Sequence, residues 1–227
     1  MFIDFKTFVL LKGLNEYSKK LNYYLSSYKF GDKVEKLKKI LPQDAKIGHI
    51  NNSKDWTSAS PEIRNNHLKE EMKFMDSLGF INEHLDLKKY FGKEDKLKNK
   101  IASLDGIWVS GGNTFVLRQA MKLSGFDNLF KELQQRDDFF YGGYSAGVCV
   151  LSDSLKYIQF VDNPNDFPYK GITETIWDGL NLFNYGILPH YDSDHPESEE
   201  IEREVKRCID NKWLFKTLKD GEVIIIE

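Results

Sequence analysis

The chain has 227 residues, a formal net charge of −3, 41% hydrophobic residues and 30% charged ones. That length supports one sizeable α/β domain with a full core, read here as a single domain over residues 1–227. The near-balanced charge gives no electrostatic support to partnership with nucleic acid or an anionic membrane.

In chain order, the apolar run 7–11 reads as a strand, followed by amphipathic material through Leu41. The same run, behind the acidic Asp4, is too short for export or for spanning a bilayer. Asp32-Lys33-Val34-Glu35 looks like a capping box that opens a helix with Val34, Leu37, Ile40 and Leu41 on its buried side. Pro42 stops it, and residues 45–50 form the next strand. Pro61 opens a helix carrying Ile63, Leu68, Met72, Met75 and Leu78, and Gly79 ends it. A strand at 80–85 and a Lys-rich helix through Ala102 follow. Ile107-Trp108-Val109 is a buried-type strand that runs into Ser110-Gly111-Gly112-Asn113-Thr114 and a helix with Phe115, Val116, Leu117, Ala120 and Met121. Residues 139–142, 157–161 and 185–188 read as strands, and 197–208 as a charged helix. A closing hairpin pairs 213–218 with 222–226 across the turn signal Asp220-Gly221.

This alternation implies a largely parallel sheet with helices on both faces. The two cysteines, Cys149 and Cys208, lie far apart without metal-ligand spacing, which argues against a disulfide framework and fits the cytoplasm. The one long irregular stretch, 163–175, stands where an active-site loop is often found.

Chemistry concentrates at Gly143-Tyr144-Ser145-Ala146-Gly147. A strand entering a glycine-flanked serine before a small-residue helix start is the pattern of a nucleophile elbow. A serine hydroxyl needs a base, and the base needs an orienting acid. Of the five histidines, His49, His67 and His84 fit structural or surface roles, whereas His190 follows Gly186-Ile187-Leu188-Pro189 at a strand's C-terminal end. His190 is therefore the expected base. His190-Tyr191-Asp192-Ser193-Asp194-His195 also has the residue types of a metal cluster, but no helical metal motif accompanies it, and no metal or cofactor is expected. Candidate acids are Asp153, Asp162, Asp166, Glu174 and Asp178; Asp162 is preferred for its place before Asn163-Pro164, with Glu174 in reserve. The oxyanion donors expected are the N–H of Ala146 and the turn Gly111-Gly112, with Asn113 and Thr114 capping the next helix beside the substrate.

Val109-Ser110-Gly111-Gly112-Asn113-Thr114-Phe115, Gly143-Tyr144-Ser145-Ala146-Gly147 and Leu188-Pro189-His190-Tyr191 together resemble the peptidase E (aspartyl dipeptidase) and cyanophycinase family of serine peptidases. The resemblance implies a flavodoxin-like α/β/α sandwich related to class I glutamine amidotransferases, with Ser145 as nucleophile and His190 as base. It implies an acid in an Asp-x-Pro sequence, which Asp162-Asn163-Pro164 reproduces. It further implies a dipeptidase or exopeptidase working on short peptides, those with an N-terminal aspartate among them; a cytoplasmic monomer or homodimer is expected. An esterase or amidase of another acyl-transfer class, or a ligand-binding relative without turnover, are the alternatives. An α/β-hydrolase would need more chain than the 45 residues between Ser145 and His190 (190 − 145).

Overall fold

The structure is a computed structural model that describes residues 21–56, 58 and 60–227. The strand expected at 7–11 lies outside the described residues. The strands are β1 (Asn22–Ser26), β2 (Lys46–Ile50), β3 (Ile81–His84), β4 (Gly106–Val109), β5 (Phe140–Tyr144), β6 (Gly186–Leu188), β7 (Phe215–Thr217) and β8 (Val223–Ile226). The helices are α1 (Val34–Ile40), α2 (Pro61–Ser77), α3 (Glu94–Ile101), α4 (Thr114–Ser124), α5 (Phe126–Leu133), α6 (Ala146–Cys149) and α7 (Ser198–Asp210). Six strands form the main sheet in the order β3-β2-β4-β5-β1-β8, with only β8 antiparallel to its neighbour. A second sheet pairs β6 with β7 in parallel.

Period-two alternation along the central strands builds the layers. Tyr23, Leu25, Ile107, Val109 and Tyr141 share one apolar cluster with Leu97 of α3, Val116 of α4 and Phe130 of α5. Tyr24, Trp108 and Phe140 point the other way, into a cluster with Leu37 of α1 and Met75 of α2. A third cluster joins Cys149 of α6, Leu188 of β6, and Ile201 and Cys208 of α7, so the small sheet is fastened directly behind the elbow. This is the three-layer, mostly parallel sandwich expected from the alternation. Among the described residues no helix is long and apolar enough to cross a membrane.

Four local expectations are corrected. Residues 22–26 are a central strand rather than helical material, because Asn22-Tyr23-Tyr24-Leu25-Ser26 is covered on both faces and shows no polar alternation to read. Instead of a strand at 157–161, Leu155–Ile158 is a short 3-10 helix, started by Ser154 accepting from Lys156 N at 3.3 Å. The capping box does not form: α1 starts after Lys33 with no side-chain cap, and Asp32 N donates to Gly221 O at 2.8 Å. The closing hairpin is also absent. A tight turn is present, with Glu222 N donating to Lys219 O at 2.9 Å, but β7 joins β6 whereas β8 joins β1. Each short strand pairs with a neighbouring strand, so the two diverge and the turn between them projects Asp220 across the sheet edge.

The C-terminal ends of β4, β5 and β1 lie side by side, and the chain crosses from β1 to the far side of the sheet to begin β2. A crevice at such an edge is where sites form in open α/β sheets. The packing at this edge is close. A Cβ on Gly143 would lie 2.8 Å from Val109 O, and one on Gly147 closer still. Gly147→Ala is therefore expected to destabilise the fold by about 1–3 kcal/mol, seen as a lower denaturant midpoint at unchanged m-value.

Candidate active site

Ser145 joins β5 to α6 with φ +48° and ψ −114°, a region that costs a non-glycine residue on the order of 1–3 kcal/mol. The surroundings enforce it. Ser145 N donates to Ser26 O at 3.4 Å, and Ser145 O accepts from Val148 N and Cys149 N at 2.8 and 2.9 Å. Tyr144 OH and Ser110 Oγ both donate to the buried Glu71 carboxylate, at 2.6 and 2.5 Å, which ties the elbow to the end of β4. Burial pushes the Glu71 carboxyl above the usual range, against the pull of those two hydrogen bonds.

The Gly111-Gly112 turn abuts Ser145, since a Cβ on Gly111 would come within 3.0 Å of Ser145 Cβ. Gly112 has φ +141°, and a Cβ there would sit 2.6 Å from Ser53 O. Only glycine takes that conformation in that space. Among the described residues no acceptor meets the N–H of Gly112 or of Ala146.

His190 is buried, with φ +61°, and its Nδ1 lies 2.7 Å from Asp220 Oδ1. A carboxylate only accepts, so Nδ1 is assigned the proton and Nε2 keeps its lone pair. His195 stacks on His190 with centroids 3.7 Å apart and planes 7° from parallel, and the Tyr28 ring meets both edge-on. Burial first, then the neighbouring His195, holds the His190 pKa below the ordinary histidine value, and Asp220 opposes both. Glu197 Oε2 stands 3.9 Å from Nε2, and burial pushes that carboxyl upward, with Asp162 adding to the rise.

Asp162, the acid expected from sequence, does not meet His190. Its Oδ2 accepts from Thr114 N at 2.8 Å, at the N-terminus of α4, where the helix dipole favours an anion. Its pKa is nonetheless raised to about 6, because desolvation outweighs the bonds from Thr114. Glu174, the reserve, is exposed and likewise makes no contact with His190 among the described residues. The residue sequence reasoning missed is Asp220, in plain view as half of a turn signal. Asn113 is placed as expected, as the cap of α4: its Oδ1 accepts from Phe115 N and Val116 N at 2.9 and 3.1 Å. With Asn113 N bonded to Ser53 O at 2.8 Å and Thr114 N to Asp162, the N–H of Gly112 is left open among the described residues.

His190, His195 and Glu197 offer ligand atoms within 4.8 Å of one another. The stacked rings direct their lone pairs along parallel planes instead of towards one point, so a shared metal ion would require one ring to turn. Asp192 is paired with Lys219.

The model of peptidase family S51 matches residues 57–227. The chain belongs to peptidase family S51. An uncharacterized peptidase of Listeria monocytogenes is 34% identical over 137 residues, 60% of this chain and 63% of the relative. One from Pasteurella multocida is 32% identical over 119 residues, 52% and 53% of the two chains. The matched stretch thus spans less than two thirds of these relatives. A 1.5 Å crystal structure of a candidate peptidase E from Listeria monocytogenes superposes with a TM-score of 0.72 at 28% identity, covering 91% of this chain and 94% of that one. A peptidase from an acI-B1 actinobacterium shares the fold, with a TM-score of 0.66 at 12% identity over 92% and 85%.

Two outcomes test this S51 site without a substrate. Ser145→Gly, which relieves the positive φ, is expected to raise stability by about 1 kcal/mol or more in denaturant melts. His190 should titrate below the ordinary histidine range by NMR, and His195→Asn should move its midpoint upward by removing the stacked imidazole that lowers it.

Proposed function

We propose that the chain is a serine peptidase that cleaves short peptides by acyl transfer, with Ser145 as nucleophile, His190 as base and Asp220 as the orienting acid. The observation that carries this reading is the 2.7 Å bond from His190 Nδ1 to Asp220, made by a histidine whose N–H is held by Ser27, next in sequence to the Ser26 carbonyl that receives the N–H of the strained Ser145. His190 Nε2 accepts the Ser145 proton as Oγ attacks the peptide carbonyl. The N–H groups of Gly112 and Ala146 then stabilise the oxyanion. The imidazolium, steadied by Asp220, protonates the departing amine, and water activated by the same nitrogen releases the acyl group.

Two features support an exopeptidase acting on free dipeptides or similarly short chains. The segment 163–175 is pinned over the start of α4, with Asn113 Nδ2 donating to Asn163 O at 3.0 Å, Gln119 Nε2 to Asp166 O at 2.8 Å and Tyr169 OH to Asp55 at 2.7 Å. Glu197, 3.9 Å from His190 Nε2, and Asp162, near enough to Glu197 to raise its pKa, together supply negative charge suited to the free ammonium of a peptide's N-terminal residue. An N-terminal aspartate is one such substrate residue, on the strength of the peptidase E resemblance.

Steady-state hydrolysis of a dipeptide and tripeptide panel, Asp-Leu included, tests the reading. Asp220→Asn is expected to lower kcat by about 10⁴-fold through loss of the orienting carboxylate, while Asp162→Asn changes kcat far less and acts mainly on KM. A collapse of kcat in Asp162→Asn with Asp220→Asn fully active would return the acid role to Asp162. The acid limb of kcat/KM should follow the lowered His190 pKa. Activity therefore persists below the ordinary histidine midpoint and is lost only as His190 becomes protonated.

A further inference from the structure

The last residue of β1 and the two that follow touch all three proposed triad members. Ser26 O accepts from Ser145 N, the Tyr28 ring meets His190 edge-on at 5.9 Å, and Ser27 stands between them. Ser27 is wholly buried. Its Oγ accepts from His190 N at 2.8 Å and lies 2.9 Å from Asp220 Oδ1 and 3.3 Å from Leu218 O. Its own N–H donates to Glu222 O at 3.1 Å, just past Asp220 in the same turn. A hydroxyl has one proton, and the shorter, charge-assisted bond to the carboxylate is the stronger of its two choices.

We infer that Ser27 is a positioning residue for the triad: its hydroxyl holds the His190 backbone and the Asp220 carboxylate together, setting the base and its acid as one unit. The inference rests on the peptidase reading only for its kinetic consequence. Two segments 30 residues apart in sequence (220 − 190) must be brought to 2.7 Å, and neither sheet does this alone. His190 occupies a left-handed conformation, so its N–H points away from any strand ladder and needs an acceptor of its own. Ser27 supplies that acceptor and returns its proton to Asp220 Oδ1, the same oxygen that faces His190 Nδ1. The other groups around the imidazole, His195, Glu197 and Tyr28, do not bridge it to its acid. The Asp220 backbone N–H also donates to Ser193 Oγ at 2.8 Å, which fixes the turn but not the carboxylate.

The test compares Ser27→Thr with Ser27→Val, which match in shape and differ in the hydroxyl, with Ser27→Ala as the variant least disturbing to packing. Thr is expected to keep wild-type kcat. Val and Ala should lose about 10- to 100-fold in kcat, the range over which hydrogen-bonded supporting groups act, at little-changed KM. The low-field His190 Nδ1 proton in the NMR spectrum should persist in Thr and vanish in Val and Ala, and the acid limb of kcat/KM should move down as His190 loses the raising influence of Asp220. Val or Ala variants that lose only melting temperature, keeping kcat and the Nδ1 resonance, would overturn the inference. A folded wild type that turns over no peptide, yet whose Nδ1 resonance depends on the Ser27 hydroxyl, would sink the peptidase reading and leave the positioning role standing.

Discussion

A single hydrogen bond, His190 Nδ1 to Asp220 Oδ1 at 2.7 Å, accounts for much of how the last forty residues are laid out. For it to form, β7 must leave the main sheet to pair with β6, while β8 must return to pair with β1. The turn between them then crosses the edge at which the elbow stands. The third apolar cluster, from Cys149 under the elbow to Ile201 and Cys208 on α7, supplies the burial that holds this arrangement against the conformational entropy of the loops.

The elbow has its own constraint, which is contact distance. Val109 approaches Gly143 and Gly147 so closely that neither tolerates a side chain, and the buried Glu71 fastens Tyr144 to Ser110. These contacts keep Ser145 at a backbone conformation it would otherwise leave. The strain is local, and the sheet on either side is regular. A strained serine on a rigid strand end, with a histidine held on a second rigid support, is how the proposed site would be kept ready before substrate arrives.

Much of this was legible from the residues. Glycines around Ser145, the Gly-Gly-Asn-Thr turn and a histidine after a strand all report short-range requirements, and the structure places each of them at the same edge. The proposed acid was not legible. Asp162 stands where a rigid strand end was expected, but that segment is a short 3-10 helix, and the carboxylate turns to the N-terminus of α4. Asp220-Gly221 carries an honest turn signal, and nothing local to it reveals that its flanking strands diverge into two sheets. Likewise β1, uniform in burial, has no period to betray it, so Ser27 could not be singled out. What escaped the sequence reading depends on long-range pairing, in which partners are chosen by the whole sheet.

The central claim is that Ser145 is a nucleophile activated by His190 and Asp220, and covalent labelling tests it most directly. A fluorophosphonate probe, followed by peptide mapping in a mass spectrometer, should place one adduct on Ser145 of the folded protein, with a labelling rate that rises with pH through the lowered His190 titration. Folded protein that takes up no label, or takes it on another residue, would contradict the account.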